Sequence, residues 1–264
     1  MDLQLTNKTV FVSGATAGIG FAIAKGFAKE GAIVYLNGRD QARVDAAIQR
    51  IKTETPNSTV HGITADLATL DGFNKLTGEL PQADILINNL GIFEPVDFFD
   101  LKDSDWQKMF DVNVLSGVRL TQHFMPSMLK NNWGRVIFIS SESALQIPTE
   151  MIHYGFSKTA QLSIANGLAQ LTKGTGVTVN SVLPGPTYSE GVQQFVADLA
   201  QQANSNTEEV EHKFFAETRP LSLLQRFATV DEIASSVIYL SSPLAAATNG
   251  AALRADGGIL KGLH

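Results

Sequence analysis

Tyr154-Gly155-Phe156-Ser157-Lys158 sets a phenol and an ammonium four residues apart, on the same face of a helix. A tyrosine at its ordinary pKa of ~10 is a poor acid–base catalyst near neutrality. A neighbouring cation favours the phenolate, and each unit of depression requires ~1.4 kcal/mol of differential interaction. The spacing alone arises often by chance. Earlier in the chain Ser141 stands at the exit of a predicted strand, where its hydroxyl could hydrogen-bond a substrate carbonyl. Phenol, ammonium and hydroxyl together suit proton transfer at a substrate oxygen.

A second group of residues suits a phosphate. Ser13-Gly14-Ala15-Thr16-Ala17-Gly18-Ile19-Gly20 follows an apolar run and opens a helical pattern. Glycines at 14, 18 and 20 permit a tight turn and close backbone approach to a pyrophosphate, whose charge the helix N-terminus stabilises. The spacing is GxxxGxG rather than GxGxxG, so its placement between strand and helix carries the reading. After the second predicted strand the chain runs Leu36-Asn37-Gly38-Arg39-Asp40. No acid stands there to hold a ribose 2′-hydroxyl, whereas Arg39 offers a guanidinium to a 2′-phosphate, which favours NADP(H) and leaves NAD(H) possible. The plainer alternative is a solvated Arg39 with Asp40 as N-cap of the next helix.

The elements that must position these groups alternate. Apolar runs predict strands at 9–13, 32–36, 59–64, 84–88, 135–140, 177–182 and 251–254. Helical patterns fall at 18–30, 41–54, 69–78, 103–130, 154–172 and 230–240. The alternation predicts an α/β fold, one doubly wound domain over 1–264 whose seven-stranded parallel sheet carries helices on both faces. Ile19, Ile23 and Phe27 recur at helical spacing as a face packed on that sheet. Residues 189–217 break the rhythm, helical but polar, with Gln or Asn at 193, 194, 201, 202, 204 and 206. Such an insertion at the carboxyl end of a parallel strand is placed to cover a site, and the lid is expected over about 187–226.

Composition narrows the function. The 264 residues are 44% hydrophobic and contain no cysteine, which excludes disulfide frameworks, thiolate zinc sites and cysteine nucleophiles. The net charge of −6, with basic residues scattered singly, argues against nucleic acid. Nearly all of that charge falls on Glu190, Asp198, Glu208, Glu209, Glu211 and Glu217, opposed by Lys213 alone. It reads as a solvated lid, or as one that disfavours anionic substrates while Arg39, remote from it, receives the cofactor phosphate. No secretory pattern or membrane span is expected, and the protein reads as cytoplasmic. His61, His123, His212 and His264 lack partners at ligand spacing, so no metal is expected.

In order and spacing these residues resemble the short-chain dehydrogenase/reductase family across essentially the whole chain. Gly14, Gly18 and Gly20 look like its glycine motif, Asp66 like the acid that meets adenine, and Asn88-Asn89-Leu90-Gly91 like its NNAG motif. Asn113, Ser141, Tyr154 and Lys158 match its catalytic tetrad, and Pro184-Gly185 matches the turn flanking the nicotinamide. The resemblance implies a Rossmann domain with cofactor contacts at Gly14, Thr16, Gly18, Ile19, Gly20, Asp66, Leu67, Asn89, Gly91, Tyr154, Lys158, Pro184, Gly185 and Thr187. It implies that Tyr154 exchanges the proton, Lys158 lowers the Tyr154 pKa and holds the ribose, and Ser141 orients the substrate oxygen. Asn113 would anchor a water that relays protons toward Lys158. Ser13 replaces the usual Thr, Leu90 replaces Ala beside the cofactor path, and Pro186-Thr187-Tyr188-Ser189 departs from the usual turn.

The expected function is thus NADP(H)-dependent interconversion of a small-molecule carbonyl and alcohol. A 3-oxoacyl-[acyl-carrier-protein] reductase is one specific alternative, and a non-catalytic NADP(H)-binding regulator is an alternative of another class. A homo-oligomer, tetramer or dimer, is expected through 103–130 and 154–172. His153 is read as structural rather than catalytic. Glu142 and Glu94 could line the substrate mouth and favour a cationic or polyhydroxy substrate, or be surface carboxylates. Phe93, Phe98, Phe99 and Trp106 are read as core or subunit contact.

Overall fold

A computed structural model describes residues 1–202 and 205–262. Its strands are β1 (Thr9–Val12), β2 (Ile33–Gly38), β3 (Thr59–Thr64), β4 (Ile85–Asn88), β5 (Gly134–Ile139), β6 (Val177–Pro184) and β7 (Ala252–Ala255). All pair in parallel, in the order β3-β2-β1-β4-β5-β6-β7. The strand order reverses between β1 and β4, and ligands of open parallel sheets bind in the crevice at such a point.

Helices α1 (Gly18–Lys29), α2 (Gln41–Glu54) and α9 (Val230–Ser241) cover one face. Phe21, Ile23, Phe27, Val44, Ile51, Ile233 and Val237 are buried there against Val10, Val12, Val34 and Leu36. A Cβ at Gly26 would lie 2.2 Å from the Ile238 Cδ1 atom, so α1 and α9 meet backbone to side chain. The opposite face carries α3 (Leu70–Glu79), α5 (Ser116–Lys130) and α6 (Ile152–Gln170), burying Leu76, Leu120, Phe124 and Ala165 on Phe11, Leu86 and Phe138. The α2 N-terminus is capped by Asp40, whose carboxylate accepts from the Arg43 N–H at 2.9 Å.

The helix expected over 103–130 is interrupted. It comprises α4 (Asp103–Phe110), a wide π-type turn (Asp111–Leu115) and α5. The extra residue in that turn holds Asn113 inward, and π-type bulges recur at functional sites. The segment expected as a lid contains α7 (Glu190–Gln202) and α8 (Thr207–Lys213), followed by a second wide turn (Phe214–Thr218). It is less polar inside than its sequence suggests: Val196, Phe215 and Phe227 form a small core with Tyr188, Val192, Val210 and Phe214 packed against it. Asn204 and His264 lie outside the described residues. Among the described residues no helix is long and apolar enough to cross a membrane.

Candidate active site

The turn after β1 is built by glycines that cannot be replaced locally. Gly14 and Gly18 have φ of +61° and +58°, the left-handed region. A Cβ at Gly20 would lie 2.4 Å from Asn89 Nδ2 and 2.6 Å from the Gly14 carbonyl oxygen. Asn89 ties the turn down by donating from Nδ2 to the Ser13 and Gly14 carbonyls, both at 2.9 Å. Ser13 Oγ accepts from the Asn89 and Leu90 N–H groups at 3.0 Å, so serine performs this anchoring role. Leu90 packs against the core beneath the turn, which takes its added bulk.

The first N–H of α1 already attracts an anion. No side chain of its own caps α1, and the Gly18 N–H donates to Glu190 Oε2 of the lid at 2.6 Å. Glu190 also approaches Arg50 Nη2 at 3.6 Å. The carboxylate sits where the positive end of the helix dipole favours negative charge. The acidic lid therefore reaches the phosphate turn, a contact that nothing in local sequence signalled.

At the end of β2, Arg39 is exposed beside this crevice. A Cβ at Gly38 would meet Thr16 Cγ2 at 2.5 Å, so the acid that would select NAD has no room there while Thr16 stands. Asp66 follows β3, its carboxylate accepting from the Ala68 N–H at 3.1 Å. Leu67 is buried in the core, leaving only its backbone to face a ligand. These residues fit an adenine dinucleotide carrying a 2′-phosphate.

Beyond them a cavity of about 210 Å³ opens. It is lined by Ile19, Asn89 and Gly91, by Ser141, Tyr154 and Lys158, and by Pro184, Gly185 and Thr187. A Cβ at Gly185 would sit 2.6 Å from the Asp256 carbonyl oxygen, which explains the glycine at the exit of β6. Thr187 Oγ1 is occupied with the Gly185 carbonyl at 2.8 Å. From the lid, Ser189 and Val192 close one side. Phe93, expected in core or subunit contact, is not in the core: it lines the cavity, 62% exposed and edge-on to Tyr154 with ring centroids 6.3 Å apart. Phe98 and Phe99 are exposed, and Trp106 packs edge-on to His153. His153 is buried, and burial lowers its pKa.

Asn113 stands behind the cavity. Its Oδ1 accepts from the Ile92 N–H at 2.8 Å, and its Nδ2 donates to the Ile92 carbonyl and to Ser157 Oγ, both at 2.9 Å. Its own carbonyl accepts from Gln161 Nε2 at 2.6 Å, while Lys158 Nζ donates to Gln161 Oε1 at 3.3 Å and to the Ile139 carbonyl at 2.9 Å. Gln161 thus bridges Lys158 and Asn113. It was missed because a polar residue at helical spacing from Lys158 resembles any solvated position.

Charge is distributed differently from expectation. Burial pushes the Tyr154 phenol above its ordinary pKa, the Glu142 carboxylate pushes the same way, and the Ser141 hydrogen bond opposes them. Burial pulls Lys158 down to about 8. Its Nζ lies 5.6 Å from the Tyr154 ring centroid. Glu94 is a surface carboxylate, 3.4 Å from Lys108. Glu142 is not: it is 6% exposed, against Ser141.

Comparisons with known proteins agree with this geometry. The short chain dehydrogenase family profile matches residues 8–200. Over 261 residues, 99% of each chain, the sequence is 48% identical to YvaG, an uncharacterized oxidoreductase of Bacillus subtilis. It is 31% identical to D-beta-hydroxybutyrate dehydrogenase of Cupriavidus necator, over 97% of this chain and 98% of that one. The crystal structure of L-sorbose reductase from Gluconobacter frateurii, complexed with NADPH and L-sorbose, superposes over 100% of both chains with a TM-score of 0.93 at 28% identity. A parallel seven-stranded sheet, a glycine turn at its switch point and this extent of matching sequence lead to one conclusion: the chain belongs to the short-chain dehydrogenase family.

Proposed function

We propose that the chain is an NADP(H)-preferring oxidoreductase that interconverts a carbonyl and an alcohol, with Tyr154 as acid–base. The observation that carries this reading is the single cavity where Ser141, Tyr154 and Lys158 meet Gly91, Pro184 and Gly185. Gly14, Gly18 and Gly20 with the α1 N-terminus would hold the pyrophosphate, Arg39 the 2′-phosphate and Asp66 the adenine. Bound there, the nicotinamide dinucleotide supplies or accepts the hydride.

The chain's own residues manage the proton and the orientation. In reduction Tyr154 Oη gives its proton to the substrate oxygen, and in oxidation it takes one. The raised phenol pKa keeps Tyr154 in its proton-bearing form at neutral pH, ready to act as the acid. Lys158, fixed by Ile139 and Gln161, places a cation beside the phenol as negative charge develops there. Phe93 and Val192 wall the cavity with apolar surface, which strengthens these interactions by excluding water.

The test is NADPH oxidation against keto-acyl thioesters, keto-sugars and cyclic ketones. Turnover with one class supports the reading; a protein that binds NADPH and reduces none of them is the non-catalytic regulator. Among substrates, a polyhydroxy carbonyl compound is supported by the L-sorbose reductase likeness and by a polar cavity of about 190 Å³ lined by Glu142, Gln146, Thr149, Glu150 and Arg219. The acidic lid disfavours an acidic carrier protein as partner. Exposed Phe98, Phe99 and Phe156 support the homo-oligomer of the same reading.

A further inference from the structure

The buried face of α6 carries polar groups where apolar ones are the rule. Lys158, Gln161, Ala165 and Ala169 recur along it at helical spacing, and Gln161 is 2% exposed. A buried amide costs stability unless its two ends are hydrogen-bonded. Both are: Nε2 donates to the Asn113 carbonyl at 2.6 Å, and Oε1 accepts from Lys158 Nζ at 3.3 Å. A carbonyl can only accept, so the amide has one orientation, with its oxygen toward Lys158. The Asn113 side chain is committed to Ile92 and Ser157, which fixes the wide turn that presents this carbonyl.

Lys158 Nζ thus has two fixed acceptors, the Gln161 oxygen and the Ile139 carbonyl at 2.9 Å. Hydrogen bonds from an ammonium are roughly twice as strong as those from a neutral donor, so both acceptors favour the charged lysine and oppose the effect of its burial. The ionisable groups beside it are Tyr154 on α6 and, acting on that phenol, Glu142 after β5. The other elements packed against it present neutral groups: the Ile139 carbonyl from β5, Asn113 from the wide turn and Gly91 after β4, where a Cβ would lie 3.3 Å from Nζ. We propose that Gln161 is a positioning residue that ties Lys158 to the Asn113 backbone and holds the ammonium in its charged form beside Tyr154. Its amide does not titrate, so it holds the lysine without taking its proton. This rests on the oxidoreductase reading and adds to it the group that sets the alkaline limit of reduction.

Gln161→Met keeps the length of the side chain and removes both polar ends. Expected is an alkaline limb of the reduction profile lower by about one pH unit, with the loss in kcat and a KM within about 2-fold of the parent. Gln161→Glu places a carboxylate beside the ammonium and moves the limb to higher pH. A merely structural role lowers stability in both variants and moves neither limb. A limb at the parent's pH in Gln161→Met overturns the proposal. If Gln161→Met does not fold, Gln161→Glu decides: a raised limb supports the proposal, and an unmoved or lowered one overturns it. A parent that turns over no carbonyl or alcohol rejects the oxidoreductase reading instead. The hold on Lys158 is then read directly by carbon-13 NMR titration of lysine-labelled protein, with Lys158→Met identifying the signal. A lower midpoint in Gln161→Met, or a higher one in Gln161→Glu, supports it, and midpoints identical to the parent's overturn it.

Discussion

At the scale of residues, Lys158 faces opposing demands. It must stay charged to act on Tyr154, yet it is 4% exposed and burial brings its pKa from 10.5 to about 8. Between those values the unfolded chain holds a proton that the folded chain has released, so this lysine's contribution to stability rises with pH through that window; below about 8 both states are protonated and folding carries the full cost of burying the cation. Catalysis runs the other way: the cation is lost as pH rises through about 8. We expect kcat/KM for reduction to fall through that region, and Lys158→Met to remove this limb while lowering turnover by about 10²-fold or more. A limb retained in Lys158→Met would assign it elsewhere. In the proposed reading, Arg39 carries the cofactor preference. Its loss in Arg39→Asp removes a charge-assisted contact worth ~1.5–3 kcal/mol, so NADPH should weaken by about 10- to 100-fold and NADH much less. Equal losses measured by titration would sink the assignment.

Among elements, the strands and the crossover helices were legible because period-2 and period-3.6 patterns record which face is buried. Their ends shift by one or two residues, as at β6, which runs on to Pro184. The wide turn at Asp111–Leu115 was not legible, since a single added residue in a long amphipathic helix leaves no signature in hydrophobic spacing. Burial of Glu142 was hidden for a different reason: Arg219, its partner, comes from a distant lid segment. The same lid sends Glu190 to the phosphate turn. Its carboxylate stands at the positive end of α1, where charge is worth ~0.3–1 kcal/mol at low salt. Glu190→Gln should therefore tighten NADPH by about 2- to 5-fold at low ionic strength, with the gain shrinking as salt screens it. Fluorescence titration at two salt concentrations checks this, and an affinity unchanged at both would show that the contact serves the lid alone.

For the whole molecule, the fold supplies a crevice and the lid completes it. The two faces of the sheet bury separate cores, and the site lies on neither: it sits at the carboxyl ends of the strands, where loops supply chemistry on a rigid frame. Asn113, Ser141, Tyr154 and Lys158 could be singled out in sequence by their types and spacing, whereas Gln161 became visible only through packing. Cofactor binding and catalysis should separate cleanly at Tyr154. NADPH at about 100 times its Kd stabilises a folded binder by ~2.7 kcal/mol, and that thermal shift should survive loss of the phenolic hydroxyl. The most direct measurement is the turnover of Tyr154→Phe at saturating NADPH with the best carbonyl substrate of the parent. The account predicts an undiminished NADPH thermal shift and a rate lower by about 10²- to 10⁴-fold. A variant that reduces the carbonyl as fast as the parent would contradict it.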